Sequence, residues 1–515
     1  QVMQRMPGWL QRGGLVVALG WFMSIQPATA QYQIPHHFAG WWRHDGGKPS
    51  GSLTLSRTIL YGMTSHGGDN DAGTIFKINT DGTGYTILHN FTLLGSDGRY
   101  PNGDLILSGS TLYGITSQSG IGPGIIFKIN TDGTGYTILH HFNAYTEGSP
   151  SDSLTLVGST LYGTTSARVG DDAGTIFKIN TDGSGFTIIY VFARDYSDGR
   201  GPQSLTLSGS TLYGMTFQGG DLPGRYYWGT VFKINTDGTG FATLHRFAGS
   251  TGGDGACPVG SPVISGSTLY GMTINGGINN WGTVFKVNTD GTGYAILHAF
   301  DNAHRDGMTP EGSLILSNST LYGMTHLGGR HAWGTAFKIN TDGSGFAPIH
   351  SFGSPGDGGC PTASLTLSGS TLYGMTSTSG TNHDGVVFAM STRIEPMPTI
   401  KANGATGNID VNYPNVVSIK VAMNAGDYAG LPMDWWVIAR AGSSWYFMNS
   451  AGQWTRNLSN CLPAYQGGLF NLPDTQVLNM SLPVGLYTFW FAVDYPMDGI
   501  LNGQILFDKV DVAVR

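Results

Sequence analysis

The chain has 515 residues, 80 of them glycine, with only 11% charged residues and a net charge of −7. That length is too great for one small domain, and a mild charge without runs of Lys or Arg excludes tight electrostatic binding to nucleic acid or an anionic membrane. So much glycine suggests disorder, but a hydrophobic fraction of 40% and strict internal repetition argue against it.

In chain order, Arg5 and Arg12 precede an apolar run, Leu15–Ile25, that is too short to span a bilayer comfortably. Ala28-Thr29-Ala30 is a small-residue cleavage pattern. Residues 1–30 are therefore expected to be a signal peptide, with a buried N-terminal helix as the alternative. No other run suits a transmembrane segment. The cysteines are Cys257, Cys360 and Cys461, too few for a disulfide scaffold in an exported chain.

The phrase Leu-Tyr-Gly-x-Thr begins at Leu60, Leu112, Leu161, Leu212, Leu269, Leu321 and Leu372, at intervals of 52, 49, 51, 57, 52 and 51 residues. A period near 50 marks a propeller blade or another repeat array. The fifth copy holds four short strand-like runs, Pro262–Ser265, Ser267–Thr273, Gly282–Asn288 and Tyr294–Phe300. Ser-Gly-Ser separates the first two, and Asn-Thr-Asp-Gly, a tight-hairpin sequence, separates the last two. Four antiparallel strands repeated seven times predict a seven-bladed β-propeller over residues 31–390. The seventh copy stops after Gly385-Val-Val-Phe388, one strand short, whereas Tyr32–Phe38 matches the fourth-strand phrase Ile-Leu-His-x-Phe. The N-terminal strand is therefore expected to complete the last blade and close the ring.

The pattern LYGMT-x2-GG…WGTVFK-x-NTDG…LHxF resembles the GloVer tandem-repeat family of secreted bacterial proteins, and the blade is similar to kelch blades in strand order. The resemblance implies export and surface display. It brings no agreed catalytic residues, so none is carried over.

Residues 391–400, with two prolines, read as a linker. From Lys401 the repeat is gone, and strand-like runs at 416–423, 435–439, 445–448, 476–480, 486–493 and 505–514 predict a β-sandwich over residues 401–515. Asp494 and Asp498 suggest a calcium site, against which an ordinary turn is the stronger reading. No cofactor is otherwise expected.

Repetition sorts the candidate site residues. A residue type in every repeat serves the blade; one in a few repeats is a better candidate for function. His36, His89, His140, His245, His298 and His350 share one fourth-strand position, with Tyr190 at the seventh. They read as structural hydrogen-bonders. The six Asn-Thr-Asp-Gly turns read as hairpins rather than metal ligands. The Asp of Asp-Gly-x-x-Pro, at Asp45, Asp97, Asp198, Asp254, Asp306 and Asp357, with Glu147 standing in once, reads as a turn holding its own loop.

Loops after the second and fourth strands share one face, and length varies there. Trp41, Trp42, Trp228, Trp281 and Trp333 all fall on that face. The last three occupy one slot, Trp-Gly-Thr, where other repeats have Ala72, Pro123, Ala173 and Asp384. Tyr226, Tyr227, Arg225, Arg305 and Arg330 lie in the same loops, with His44, His66, His304, His326, His331 and His383. Flat aromatics beside hydrogen-bonding groups suit a sugar. Packing of each Trp against the next blade, where the third strand begins, is the slightly favoured alternative, since aromatics are mostly buried bulk. No HxH or HExxH spacing supports zinc or copper, and no nucleophile elbow or phosphate loop is present. Cys257 and Cys360 fall in matching Asp-Gly-x-Cys-Pro loops two repeats apart, too far for a disulfide, so free thiols are expected.

The leading expectation is an exported, extracellular or periplasmic, non-catalytic protein that meets a polysaccharide, another surface polymer or a protein partner. Its expected contacts are Trp228, Trp281, Trp333, Trp42, Tyr227, Arg330, His331, His326 and His383. One rival is a glycan hydrolase or lyase using His326, His331, His383 or Asp384 as acid or base. Another is a structural element of the cell envelope or a filament.

Overall fold

The computed structural model describes residues 32–120, 122–166, 173–220, 228–250, 253–301, 306–354, 356–392, 397–406, 408–425, 430–456, 463–495, 497 and 504–515. The expected signal peptide, Arg225, Tyr226, Tyr227, His304, Arg305, Cys461 and Asp498 lie outside the described residues. The fold is all-β. Its two compact units are Tyr32–Thr392 and Arg393–Arg515.

Each repeat of the first unit forms an antiparallel sheet whose strands pair in sequence order. The fifth is representative, with strands Gly255–Ser265, Thr268–Gly276, Thr283–Asn288 and Ala295–Ala299. Its local chemistry dictates these bounds. Asp290 Oδ1 accepts from the Thr292 amide at 2.9 Å and its hydroxyl at 2.7 Å, which locks the last hairpin. The glycine of Leu-Tyr-Gly is where the third strand's Phe lies over the second strand. A Cβ on Gly271 would sit 2.6 Å from the Phe285 ring. Leu269, Phe285 and Val287 are fully buried. The Thr273 and Thr283 hydroxyls, also buried, satisfy each other at 2.8 Å.

The sheets occupy residues 46–90, 99–141, 155–191, 200–246, 255–299, 308–351 and 366–391. Gln33–His37 is the fourth strand of the last, pairing Gln33 with Ala389, His36 with Val387 and His37 with Val386. Neighbouring sheets share cores. Met63 and Ile75 of the first sheet pack with Leu112 and Phe127 of the second. Leu53 and Phe76 of the first sheet also pack with Tyr373, Met375 and Val387 of the seventh.

Inner strands are tied by a circuit of amide-to-side-chain bonds. Ser52 N donates to Asp104 (2.6 Å), Asp104 N to Ser153 (2.8 Å) and Ser153 N to Ser204 (3.0 Å). Ser261 N donates to Ser313 (2.8 Å), Ser313 N to Ser364 (2.7 Å) and Ser364 N back to Ser52 (2.9 Å). The break falls after the fourth sheet, where Ser204 N turns back to Asp152 at 3.3 Å. That repeat reads Pro-Gln-Ser-Leu and lacks one residue of the usual Pro-x-Gly-Ser-Leu. These strands line a polar cavity of about 760 Å³.

The repeated histidines and acids form pairs between successive sheets. Six histidines lie 2.8–3.2 Å from Asp45, Asp97, Glu147, Asp254, Asp306 and Asp357. Tyr190 donates to Asp198 at 2.7 Å. Each acid also accepts a nearby loop amide, such as Ala248 N at 2.9 Å from Asp254, so it holds its own loop as expected. The bond to the preceding fourth strand is the added finding. Each His ring stacks on an aromatic of the following sheet, as His36 does on Tyr85 (3.8 Å) and His298 on Phe346 (3.6 Å).

The slot glycine closes the packing. Gly282 has φ +98°, and a Cβ there would meet Thr273 O at 2.4 Å and Pro310 of the next sheet at 2.6 Å. Both objections are to rigid atoms, so Gly282→Ala should cost about 3 kcal/mol. A denaturant titration that moves by less than about 1 kcal/mol would show that the sheet yields there.

In the second unit, Met397–Ala402, Val416–Asn424 and Leu472–Ser481 form one sheet. A larger sheet centres on Pro432–Ala441, Gly485–Tyr495 and Gln504–Val514, with Ile409–Val411 parallel to the last. Ile400, Val417, Ile419 and Val421 of the first sheet share a core with Trp435, Val437, Phe489 and Phe491 of the second. Alternation sends Trp436, Ile438 and Trp490 to the other face of the larger sheet, where Trp436 Nε1 donates to the buried Asp494 at 2.7 Å.

Candidate functional site

The loops after the second and fourth strands meet. In six of the seven slots the slot residue's carbonyl accepts the amide of the residue before the next repeat's proline; Pro123 is the exception. The pairs are Ala72 with Tyr100 (2.9 Å), Ala173 with Gly201 (2.8 Å) and Trp228 with Cys257 (2.8 Å). Trp281 with Thr309, Trp333 with Cys360 and Asp384 with Lys48 follow at 2.9 Å. The non-glycine residues before those prolines have φ near +50°, a strained geometry that these bonds help to hold.

The three slot tryptophans differ. Trp228 is half-buried against the core containing Phe247 and Phe285. A loop glycine packs on the ring of Trp228 and of Trp333 alike: a Cβ on Gly249 would lie 2.6 Å from the first and one on Gly353 2.5 Å from the second. Trp281 and Trp333 are 39% and 44% exposed. By contrast, Ala72 and Ala173 in the same slot are fully buried. Trp42 is 78% exposed on the turn Trp41–Arg43. The loop carrying Trp281 also presents Ile278, 85% exposed, at the rim of a cavity of about 460 Å³.

Arg330 and His331 are exposed and share the loop of Trp333. Arg330 N donates to Ser351 Oγ at 2.6 Å, and His331 Nε2 lies 3.4 Å from Ser354 Oγ. His383 is exposed with φ +65°, beside the part-buried Asp384. Asp384 sits against Gly40, whose Cβ would lie 2.5 Å from its carboxylate. Burial raises the Asp384 pKa; Lys48 opposes it, while Asp71 and Asp45 add to the rise. His66 nearby is held below its ordinary value by burial and by Lys48.

His326 is not an exposed contact. It is half-buried, with Nδ1 3.3 Å from Pro361 O and 3.7 Å from Glu311 Oε2. Its hydrogen bond with Cys360, aided by the Glu311 charge and opposed by burial, pushes its pKa up to about 9. Sequence spacing did not reveal this grouping. Glu311 and Cys360 lie 49 residues apart, and only the slot-to-proline register brings them together. Cys257 and Cys360 are both free and buried. Among the described residues no group of three or more His, Cys, Asp or Glu side chains is arranged to hold a metal. No helix among them is long and apolar enough to cross a membrane.

Comparison with solved structures finds distant likenesses. A puromycin-hydrolyzing peptidase of Mycobacterium tuberculosis is 12% identical, with a TM-score of 0.44. The alignment covers 78% of this chain and 62% of the peptidase, so the chain spans less than two thirds of that protein. An alpha-L-arabinofuranosidase from Clostridium thermocellum is 12% identical over 48% of this chain and 93% of that one, with a TM-score of 0.29. A neuraminidase-like protein of A/flat-faced bat/Peru is 9% identical over 71% and 95%, with a TM-score of 0.34. At these scores the likenesses carry no argument. No curated protein matches the chain. The model of the Gloeobacter/Verrucomicrobia repeat matches residues 5–224 and 221–424, and with most of its length so matched the chain belongs to that repeat family.

Proposed function

We propose that the seven sheets are the blades of a closed β-propeller, that the second unit is a β-sandwich, and that the protein is exported. In this reading its loop face binds a polysaccharide or another surface polymer without transforming it. The observation that carries the reading is the contrast within one slot. Two blades fill it with a buried alanine, so the fold does not require a tryptophan there. Trp281 and Trp333 instead hold large aromatic area at the surface, as stacking on a sugar ring needs. Arg330 and His331 stand on the Trp333 loop and suit hydroxyl or carboxylate groups. Trp42 and His383 extend the face, whereas Trp228 is mainly a packing residue. The N-terminal pattern of charge, apolar run and Ala-Thr-Ala supports export.

The test mixes the protein with a panel of insoluble and soluble polysaccharides and assays retention and new reducing or unsaturated ends together. Retention without new ends is expected. Trp281→Ala and Trp333→Ala should each weaken retention about tenfold, the scale of one lost aromatic stack. Both should leave the thermal transition in place, because alanine already serves this slot in the first and third blades. Trp228→Ala should lower it. New ends would make the protein a hydrolase or lyase and shift attention to the loop histidines. Retention of nothing, with assembly that grows with concentration, would replace the reading with a structural role.

A further inference from the structure

Cys257 and Cys360 form an internal comparison. Both precede the proline of their repeat, both have φ near +54° and both are 8% exposed. Both donate their amide to a slot tryptophan of the preceding sheet. Their surroundings differ at the positions that decide thiol chemistry. The residue after the Leu-Tyr-Gly-x-Thr phrase of the preceding repeat is Phe217 for Cys257 and His326 for Cys360. Beside the inner-strand proline stands Gln203 in one case and Glu311 in the other. The His326 ring is bonded to the Cys360 thiol, and its Nδ1 lies 3.3 Å from the carbonyl of the adjoining Pro361 and 3.7 Å from the Glu311 carboxylate. A nucleophile, a base and a carboxylate beside the base form the ordering that activates a thiol.

We propose that Cys360 is a reactive thiol site for small electrophiles, hydroperoxides in particular, activated by His326 with Glu311 behind it, and that Cys257 is its inert counterpart. Burial excludes bulky reagents from both. Burial raises the Cys360 pKa, but bonds from His326 and Thr378 and the His326 charge outweigh it, with Glu311 opposing. Burial raises that of Cys257, and only Asn275 opposes. In the reaction the Cys360 thiolate attacks one peroxide oxygen. A sulfur–oxygen bond forms as the oxygen–oxygen bond breaks, leaving the sulfur as a sulfenic acid. The departing hydroxide or alkoxide takes the proton held on His326 and leaves as water or alcohol. Sulfur loses two electrons, and the peroxide gains them.

The native full chain is treated with hydrogen peroxide, or with iodoacetamide at pH 6, and the oxidation or alkylation of each cysteine is followed by peptide mass spectrometry. Cys360 should label at least about tenfold faster than Cys257 in the same molecule. In denaturant the two rates should converge. His326→Phe, which copies the Cys257 surroundings, should remove the difference. Equal rates in the native protein, faster labelling of Cys257, or a difference that survives His326→Phe would overturn the proposal. The native comparison needs no variant, so a misfolded substitution does not blunt the test. Polymer binding is read in a separate assay and stands or falls separately.

Discussion

Removal of residues 32–38 should abolish cooperative folding of the first unit and turn the chain into an aggregating species. These seven residues touch three sheets. Gln33–His37 forms the outer strand of the seventh sheet. Phe38, fully buried, packs with Leu53, Leu60 and Phe76 of the first. His36 reaches Asp45 at 3.1 Å and stacks on Tyr85, also in the first sheet's territory. Tyr32 stacks on His350 of the sixth sheet at 3.9 Å. Loss of Phe38 alone is worth about 3–5 kcal/mol by analogy with other buried aromatic truncations. The deletion also bares the edge of Val386–Ser391, an apolar strand whose Val386, Val387 and Phe388 are otherwise fully buried. Such an edge recruits other chains. Size-exclusion chromatography and a thermal scan check the outcome, and a peptide of residues 31–45 added in trans should restore a sharp transition. A truncated chain that stays monomeric and melts at the original temperature would show that the first unit does not depend on this strand.

The same segment shows how much was legible beforehand. Tyr32–Phe38 was recognisable as a displaced fourth strand because it repeats a phrase whose other copies are complete. Period and turn chemistry sufficed for the repeated sheets, since each hairpin is local and each copy corroborates the others. The six strand-like runs after Lys401 are all strands, but the sequence there offered no signal for two-residue or three-residue pieces such as Ile409–Val411, whose parallel partner is 103 positions on at Val512. The site was less legible. Composition marked the tryptophans without separating packed Trp228 from exposed Trp281 and Trp333, because that depends on loop residues near each ring. His326 looked like a loop histidine. Its partners lie in the adjoining sheet, and a one-dimensional pattern does not show which side chains cross between sheets. The His–acid pairing did leave a trace: where the histidine becomes Tyr190 the acid remains Asp198, and where the acid becomes Glu147 the loop is shorter.

Asp254→Ala should be among the most damaging single substitutions, at about 4–6 kcal/mol. The Asp254 carboxylate accepts from Ala248 N at 2.9 Å and Gly255 N at 2.6 Å, lies 3.1 Å from His245 Nε2 and accepts from Tyr294 OH. Alanine leaves those donors without an acceptor at a junction between two sheets; the Gly255 amide is buried and the other three are part-buried, and a fully buried unmet donor costs about 1–3 kcal/mol before relaxation. Asp254→Asn keeps one oxygen and should fall between. The carboxylate's charge also sets a pH dependence. Burial raises the Asp254 pKa, but the bonds from His245 and Tyr294 outweigh it, so the group titrates below its ordinary value. Asp45 and Asp357 are lowered in the same way. A depressed carboxyl contributes stability that is present above its unfolded pKa of about 3.9 and disappears as pH falls through the folded value. The first unit should therefore hold its stability down to about pH 4 and lose it steeply below. Asp254→Ala should be weaker at neutral pH and less steep below pH 4, since one of the linked protons is gone. Chemical denaturation at pH 7, 5, 4 and 3 separates the two effects. A variant with wild-type stability at pH 7 would mean that water replaces the carboxylate; a variant weakened equally at every pH would mean that the hydrogen-bonding shape, not the charge, holds successive sheets together.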